Sequence, residues 1–312
     1  MFLPAYLDYN ATSPLDPAVF SAMLPWLEGL CGNASSRHEY GRRARHAVDE
    51  ARQRLAVAVG AHPSEVIFVS GGSEANNLFV KGAAGVLKTG TIAVSAIEHP
   101  CVLKPAAQLQ RQGWRLREIA VEASGRVCGE DFAAALLDFP KLVSVMLANN
   151  ETGVIQDIAS LASASRSTGA WFHTDAVQGV GKIPFHVDEV QADLVSLTAH
   201  KMCGPKGVGA LYVRRKPRIR LSALIDGGGH ERGMRSGTLN VPGIVGFGKA
   251  AELAQSEMVE ESARVFSLRE RLRNQLMAAL PEVYVNGSME HRLPGNLNIS
   301  FTHVEGEGLM MA

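Results

Sequence analysis

The sequence predicts an open α/β fold: a mostly parallel sheet with helices on both faces. Three observations carry that prediction. Short, continuously apolar runs recur along the chain, as expected of strands buried on both faces. They alternate with stretches of helical periodicity. The composition is that of an ordinary globular protein, 46% hydrophobic and 20% charged over 312 residues, so a core of normal size is available.

The elements follow in order. From Arg37 to Val59, apolar residues stand at Ala44, Ala47, Val48, Ala51, Leu55 and Val59. That is helical spacing, and Gly60 occupies the place of a C-cap glycine. The strand-like runs are VIFVS (66–70), TIAVSAI (91–97), LVSVMLA (142–148), WFHTDAV (171–177), DLVSL (193–197) and GALYV (209–213). Together they define a large domain over residues 15–250. A long helix is expected over 241–280, its later half charged and amphipathic. VYVNG and NLNISF read as two strands opening a smaller α+β domain. Residues 1–14 and 251–312 are assigned to that domain, which is expected to be incomplete, because so few residues after the helix build no core of their own.

Bulk properties exclude several classes. Acidic and basic residues balance at 31 each, so net charge favours neither nucleic acid nor membrane. No apolar window is long enough to span a bilayer, and the start lacks a basic segment followed by a long apolar one. Cys31, Cys101, Cys128 and Cys203 are scattered, with no C-x-x-C pair, against a zinc site or disulfide framework. A soluble, cytoplasmic protein with reduced thiols is expected.

In open parallel sheets ligands bind beyond the carboxyl ends of the strands, so the residues after each run matter most. After VIFVS come Gly71, Gly72 and Ser73, opening a helix. A helix N-terminus offers free N–H groups to a phosphate, and Ser73 adds a hydroxyl. The plainer reading makes Ser73 an N-cap. No Walker A sequence is present, which argues against a nucleotide kinase. After TIAVSAI comes His99, either a surface residue or an imidazole laid over an aromatic ligand. After LVSVMLA come Asn149 and Asn150, turn residues by default. Asp175 directly follows a buried strand, which is costly without a cationic partner. Gln178 lies three residues on.

The segment TAHKMCGPKG (198–207) puts Lys201 between two core strands, where a lysine normally costs stability. One sheet edge thus gathers a phosphate cradle, an imidazole, a buried carboxylate, hydroxyls and a lysine. Pyridoxal phosphate needs those parts: an amine for its aldehyde and a carboxylate for its ring nitrogen. Burial lowers a lysine's pKa and frees its amine as nucleophile and base.

Eight stretches carry a family resemblance: YLDYNATSPLDP (6–17), GNASSRHEYG (32–41), SGGSEANN (70–77), EHPCVL (98–103), ANNETG (148–153), HTDAVQGVGK (173–182), TAHKMCGPKGVGALYVRR (198–215) and GGGHERGMRSGTLN (227–240). In order and in register, they resemble the cysteine desulfurases, pyridoxal-phosphate enzymes of the class V aminotransferase group that serve iron–sulfur cluster assembly. The resemblance implies the fold type I architecture of pyridoxal-phosphate transferases, with a seven-stranded sheet. It implies that Lys201 is the Schiff-base lysine, that His99 stacks on the ring and moves protons, and that Asp175 partners the pyridine nitrogen. Gln178 and Asn150 are implied near the phenolic oxygen. Gly72, Ser73, Thr198 and His200 are implied as phosphate ligands. Thr238 matches a threonine that reaches the neighbouring subunit's phosphate, which implies a homodimer. Ser73 and Thr198 exchange threonine and serine roles relative to the family, and Ala34 replaces a frequent proline.

The implied reaction removes sulfur from L-cysteine, giving L-alanine and a persulfide for an acceptor such as an iron–sulfur scaffold or a tRNA thiolation pathway. No metal is implied. The family's catalytic cysteine lies on a loop downstream of the motif resembling EGEGLMMA, and its carboxylate-gripping arginine lies further on. The sequence therefore reads as a C-terminally truncated desulfurase, expected not to make alanine at family-like rates. Cys101 and Cys203 read as small packing residues beside cofactor motifs. Two other readings stand beside this one: another class V lyase or aminotransferase, and a non-catalytic pyridoxal-phosphate-binding protein.

Overall fold

The computed structural model describes residues 5–311. The helices are α1 (Pro17–Glu28), α2 (Glu39–Val59), α3 (Gly72–Ala84), α4 (Pro100–Leu109), α5 (Gly129–Leu137), α6 (Ile158–Ser167), α7 (Val187–Val190), α8 (Val241–Ala279) and α9 (Gly306–Met311). The strands are β1 (Val66–Val69), β2 (Thr91–Ser95), β3 (Arg115–Ile119), β4 (Leu142–Ser144), β5 (Trp171–Asp175), β6 (Leu194–Thr198), β7 (Gly209–Val213), β8 (Val283–Val285) and β9 (Ile299–Phe301).

Seven strands form one sheet in the order β1-β7-β6-β5-β4-β2-β3. Neighbours from β6 to β3 pair in parallel, and only β7 runs against both of its neighbours. The reversal at β7 follows from its short connection. Residues 199–208 are too few for a crossover helix, so the chain turns back beside β6. Five of the strands, β1, β2, β4, β6 and β7, are buried at every position. They are sandwiched between two apolar layers, one including Leu55, Phe172 and Phe247, the other Leu78, Phe79 and Ile92. β8 and β9 form a separate antiparallel pair.

Residues 115–119 were not expected as a strand. The sequence there is RLREI, and only Ile119 is buried. β3 is an edge strand, with Arg115 and Glu118 exposed and Arg117 paired with Asp131, so it lacks the apolar run that marks the others. The predicted helix over 37–59 is α2, with Gly60 at φ 69° closing it in the left-handed conformation. A Cβ at Gly60 would lie 2.0 Å from the His186 ring, so the turn also needs the bare backbone. α8 runs unbroken for 39 residues. Its first half buries Ile244, Phe247 and Ala250 against α2, while most of its second half is solvated. Among the described residues, no helix is long and apolar enough to cross a membrane.

The outer edge of β1 is closed by an ion pair. Arg52 on α2 donates from Nη1 to Val66 O at 2.7 Å and grips Glu231 with both terminal nitrogens at 2.7 and 2.8 Å. Glu231 Oε2 accepts the Phe68 N–H at 2.7 Å, so Val66 O and Phe68 N–H on the free edge of β1 are both satisfied.

Candidate active site

The carboxyl ends of the central strands open on a cavity of about 470 Å³. Nine of the ten residues singled out from the sequence line it: Gly72, Ser73, His99, Asn150, Asp175, Gln178, Thr198, His200 and Lys201. Thr238 does not. It is exposed, on the segment between β7 and α8. Other lining residues were not singled out, among them Thr12, Asn76, Cys101 and Lys206.

β1 delivers Ser70 and Gly71 to the cavity, and α3 begins at Gly72 with no side chain capping its N-terminus. Its first-turn N–H groups are therefore free to meet an anion. Ser73 is thus not the N-cap; Gly71 holds that place. Backbone packs tightly behind this turn, because a Cβ at Gly209 would come within 2.7 Å of Gly71.

Asp175 ends β5 and is buried. Its Oδ2 accepts from Asn76 Nδ2 at 2.6 Å and its Oδ1 from the Val177 N–H at 3.0 Å. Burial pushes its carboxyl up, while those two donors, Lys201 and His99 pull it back. His99 follows β2 and caps α4, its Nδ1 accepting the Cys101 N–H at 3.2 Å. Asn149 and Asn150 divide the two readings between them. Asn149 Oδ1 accepts from Glu151 and Thr152 N–H and builds the turn, whereas Asn150 lines the cavity.

Lys201 lies in the turn after β6. Burial lowers its amine's pKa, and the nearby Asp175 opposes the shift. His200 is held below its ordinary value by burial, then by Lys201, Lys206 and Lys182. Lys182, pushed down to about 8 by burial, donates to Gln178 Oε1 at 3.0 Å. Gln178 Nε2 donates to Asn10 O at 2.8 Å. The N-terminal segment is pinned over the same turn: Ser13 N–H and Oγ both donate to His200 O, at 2.9 and 2.8 Å, and the Asp16 N–H donates to Cys203 O at 2.9 Å. Ala11 and Thr12 of this segment thus line the cavity, although they stand some 190 positions away in sequence from the turn they meet.

A buried polar chain runs beneath the cavity across four strands. Ser196 Oγ (β6) meets His173 Nε2 (β5) at 2.9 Å, and His173 Nδ1 meets Ser144 Oγ (β4) at 2.9 Å. Ser144 Oγ donates to Glu98 Oε2 at 3.2 Å, and Ser95 Oγ donates to Glu98 Oε1 at 2.6 Å. Phe79 of α3 stacks on His173 at 4.1 Å between centroids, which docks the cradle helix on the sheet. Burial pushes Glu98 up to about 7 and His173 down to about 3.

These residues fit pyridoxal phosphate. Uncapped N–H groups with Ser73 beside them suit its phosphate, the buried Asp175 carboxylate suits a ring nitrogen, and the Lys201 amine suits its aldehyde. Asn76 Oδ1, buried without a hydrogen-bond partner, marks a polar wall not saturated by the protein itself. Among the described residues no cluster suited to a metal ion occurs.

The chain matches the class-V aminotransferase family over residues 5–312. It is 54% identical to the cysteine desulfurase IscS of Anaeromyxobacter sp. (strain Fw109-5), over the whole of this chain and 78% of that protein. It is 50% identical to the cysteine desulfurase IscS of Haemophilus influenzae (strain PittEE), again over 78% of its length. Among solved structures, a NifS-like protein superposes with a TM-score of 0.94 at 36% identity, covering 98% of this chain and 84% of that one. DndA from Streptomyces lividans superposes with a TM-score of 0.86 at 39% identity, covering 100% and 87%. A motif set in register over the whole chain, a cavity with the donor set of pyridoxal phosphate, and relatives of this identity lead to one conclusion: the chain belongs to the class-V aminotransferase family, within its cysteine desulfurase group.

Proposed function

We propose that this protein takes the sulfur from L-cysteine, using pyridoxal phosphate bound in the cavity beneath residues 10–13, and yields L-alanine with the sulfur as a persulfide on an acceptor thiol. The observation that carries this reading is the placing of Lys201 and Asp175 on one cavity, close enough for each to shift the other's proton affinity, beside an uncapped helix N-terminus.

When bound, pyridoxal phosphate supplies an aldehyde for the amine and a ring that takes up electron density from the carbon attached to it. The first turn of α3 with Gly72 and Ser73, together with Thr198 and His200, would hold its phosphate. Asp175 would hold its ring nitrogen protonated, a charge-assisted hydrogen bond contributing about 1.5–3 kcal/mol. Asn76 keeps the Asp175 carboxylate oriented through Oδ2. Gln178 and Asn150 would orient the ring's oxygen side. Lys182 fixes the Gln178 amide by occupying Oε1, so its NH₂ is the end left to donate. Lys201 Nζ, its affinity for a proton lowered by burial, is suited to take the substrate's Cα proton and return it.

The working form is proposed to be a cytoplasmic homodimer in which exposed Thr238 reaches the neighbouring subunit's phosphate. Exposed Leu7, Phe20, Leu27 and Tyr40 support a covered apolar face. The acceptor is proposed to be an iron–sulfur scaffold. The large domain is proposed to span 15–250, with 1–14 and 251–312 belonging to the small one; residues 1–4 and 312 lie outside the described residues.

The test is absorption spectroscopy of the purified chain with added pyridoxal phosphate, beside Lys201→Ala. A visible band from lysine-bound cofactor, abolished in the variant and perturbed by L-cysteine, is expected. Identical spectra for the two proteins would overturn the reading.

A further inference from the structure

Cys101 lines the cavity, yet nothing in the reaction as described uses it. Its surroundings are a chain of hydrogen bonds with one direction. Asn76 Nδ2 carries two hydrogens. One goes to Asp175 Oδ2 at 2.6 Å and the other to Cys101 Sγ at 3.0 Å. Reversing this amide would set Oδ1 against the carboxylate, so the orientation is imposed, and it leaves Oδ1 buried without a partner. Sγ accepts from Asn76 through one of its two lone pairs and still has its own hydrogen to give. Burial raises the thiol's pKa, so that hydrogen is retained at neutral pH. Its neighbour is His99 Nδ1, at 2.8 Å.

The same Nδ1 also faces the Cys101 backbone N–H at 3.2 Å. A backbone amide can only donate, so Nδ1 must present its lone pair. A hydrogen on Nδ1 would face the backbone N–H and lose that bond, whereas a bare Nδ1 takes both the N–H and the S–H. The ring hydrogen of neutral His99 is then on Nε2. The charged or titratable groups around His99 are Cys101 on α4, Asp175 at the end of β5 and Lys201 after β6. Glu98, next to it in sequence, turns away to Ser95 and Ser144.

We infer that Cys101 is a positioning residue: its thiol and its backbone N–H together hold His99 in the Nε2–H tautomer, so that His99 offers the cavity a hydrogen-bond donor and not a base. Proton acceptance in the reaction then falls to Lys201 Nζ. The inference rests on the proposed reading of this cavity for its consequence in catalysis, but the tautomer itself needs neither cofactor nor turnover.

Nitrogen-15 spectroscopy of the full chain labelled at histidine tests it, in reducing buffer without cofactor, with the His99 ring assigned by its loss in His99→Gln. The expected parent spectrum shows Nε2 protonated and Nδ1 bare. In Cys101→Ala, Nδ1 keeps only the backbone donor, and the share of the Nδ1–H tautomer should rise about fivefold, the factor for one net hydrogen bond. Cys101→Ser, whose hydroxyl both donates and accepts, should restore the parent ratio. A parent ring protonated on Nδ1 overturns the inference whether or not the variants fold. So does an unchanged ratio in Cys101→Ala, or a serine variant that behaves like alanine. A chain that shows the Nε2–H tautomer but no cofactor band would fail the proposed function and leave this inference standing.

Discussion

Glu98 and His173 belong to one hydrogen-bonded chain, joined through Ser144, with opposite pKa shifts, and Glu98→Gln separates them. Burial raises Glu98 from 4.5 to about 7. Its contribution to stability is therefore complete below 4.5 and is lost as pH rises through about 7. Burial lowers His173 from 6.5 to about 3, so its contribution is present above 6.5 and is lost as pH falls through about 3. Between pH 4.5 and 6.5 the two slopes oppose each other. Integrating each gives a loss of about 2 kcal/mol from Glu98 and a gain of about 2 kcal/mol from His173 as pH rises over that window. In the parent the pair is nearly flat. Glutamine at 98 keeps the shape and removes the titration. Its amide would donate to Ser144, and the Ser144–His173–Ser196 chain can answer by reversing its hydrogens, because each of those groups both donates and accepts. The variant should then gain about 2 kcal/mol between pH 4.5 and 6.5 relative to the parent. Urea unfolding of both proteins at pH 4.5, 5.5 and 6.5, followed by tryptophan fluorescence, measures it. A variant-minus-parent difference in stability that stays constant across the three pH values, or falls as pH rises, would refute the reasoning.

Two further substitutions test the frame and the site. Glu231→Ala strands the Arg52 guanidinium, which is 11% exposed, and frees the Phe68 N–H at the sheet edge. The expected loss is about 3–5 kcal/mol, read as a lower midpoint in thermal unfolding; an unchanged midpoint would show the pair to be idle. Asp175→Asn removes the carboxylate that Asn76 and Val177 N–H serve. Pyridoxal phosphate affinity, measured by spectroscopic titration, should fall roughly ten- to a hundredfold, the loss of one charge-assisted bond, while parent-like affinity would remove Asp175 from the site.

Periodicity alone determined much of this protein. The buried strands are legible because a strand covered on both faces must be apolar along its length. Nine of the ten residues singled out, some for their place after a buried run and others, such as Thr198 and His200, through the family resemblance, line one cavity, because parallel strands with crossover helices bring their carboxyl ends to the same side. β3 escaped because an edge strand need not be apolar, and Arg115, Arg117 and Glu118 hide it. Other features are tertiary outright. Asn76 meets Asp175 across 99 positions, and residues 10–13 close on Gln178 and His200 from the far end of the chain. Glu98, Ser144, His173 and Ser196 become one chain of hydrogen bonds only because β4, β5 and β6 lie side by side in register, with the end of β2 next to β4. In sequence Cys101 is a small residue behind His99, and only the folded start of α4 sets its thiol against Nδ1. Local pattern decides which segments bury themselves. Strand order decides which polar groups then share a low-dielectric interior and must satisfy one another.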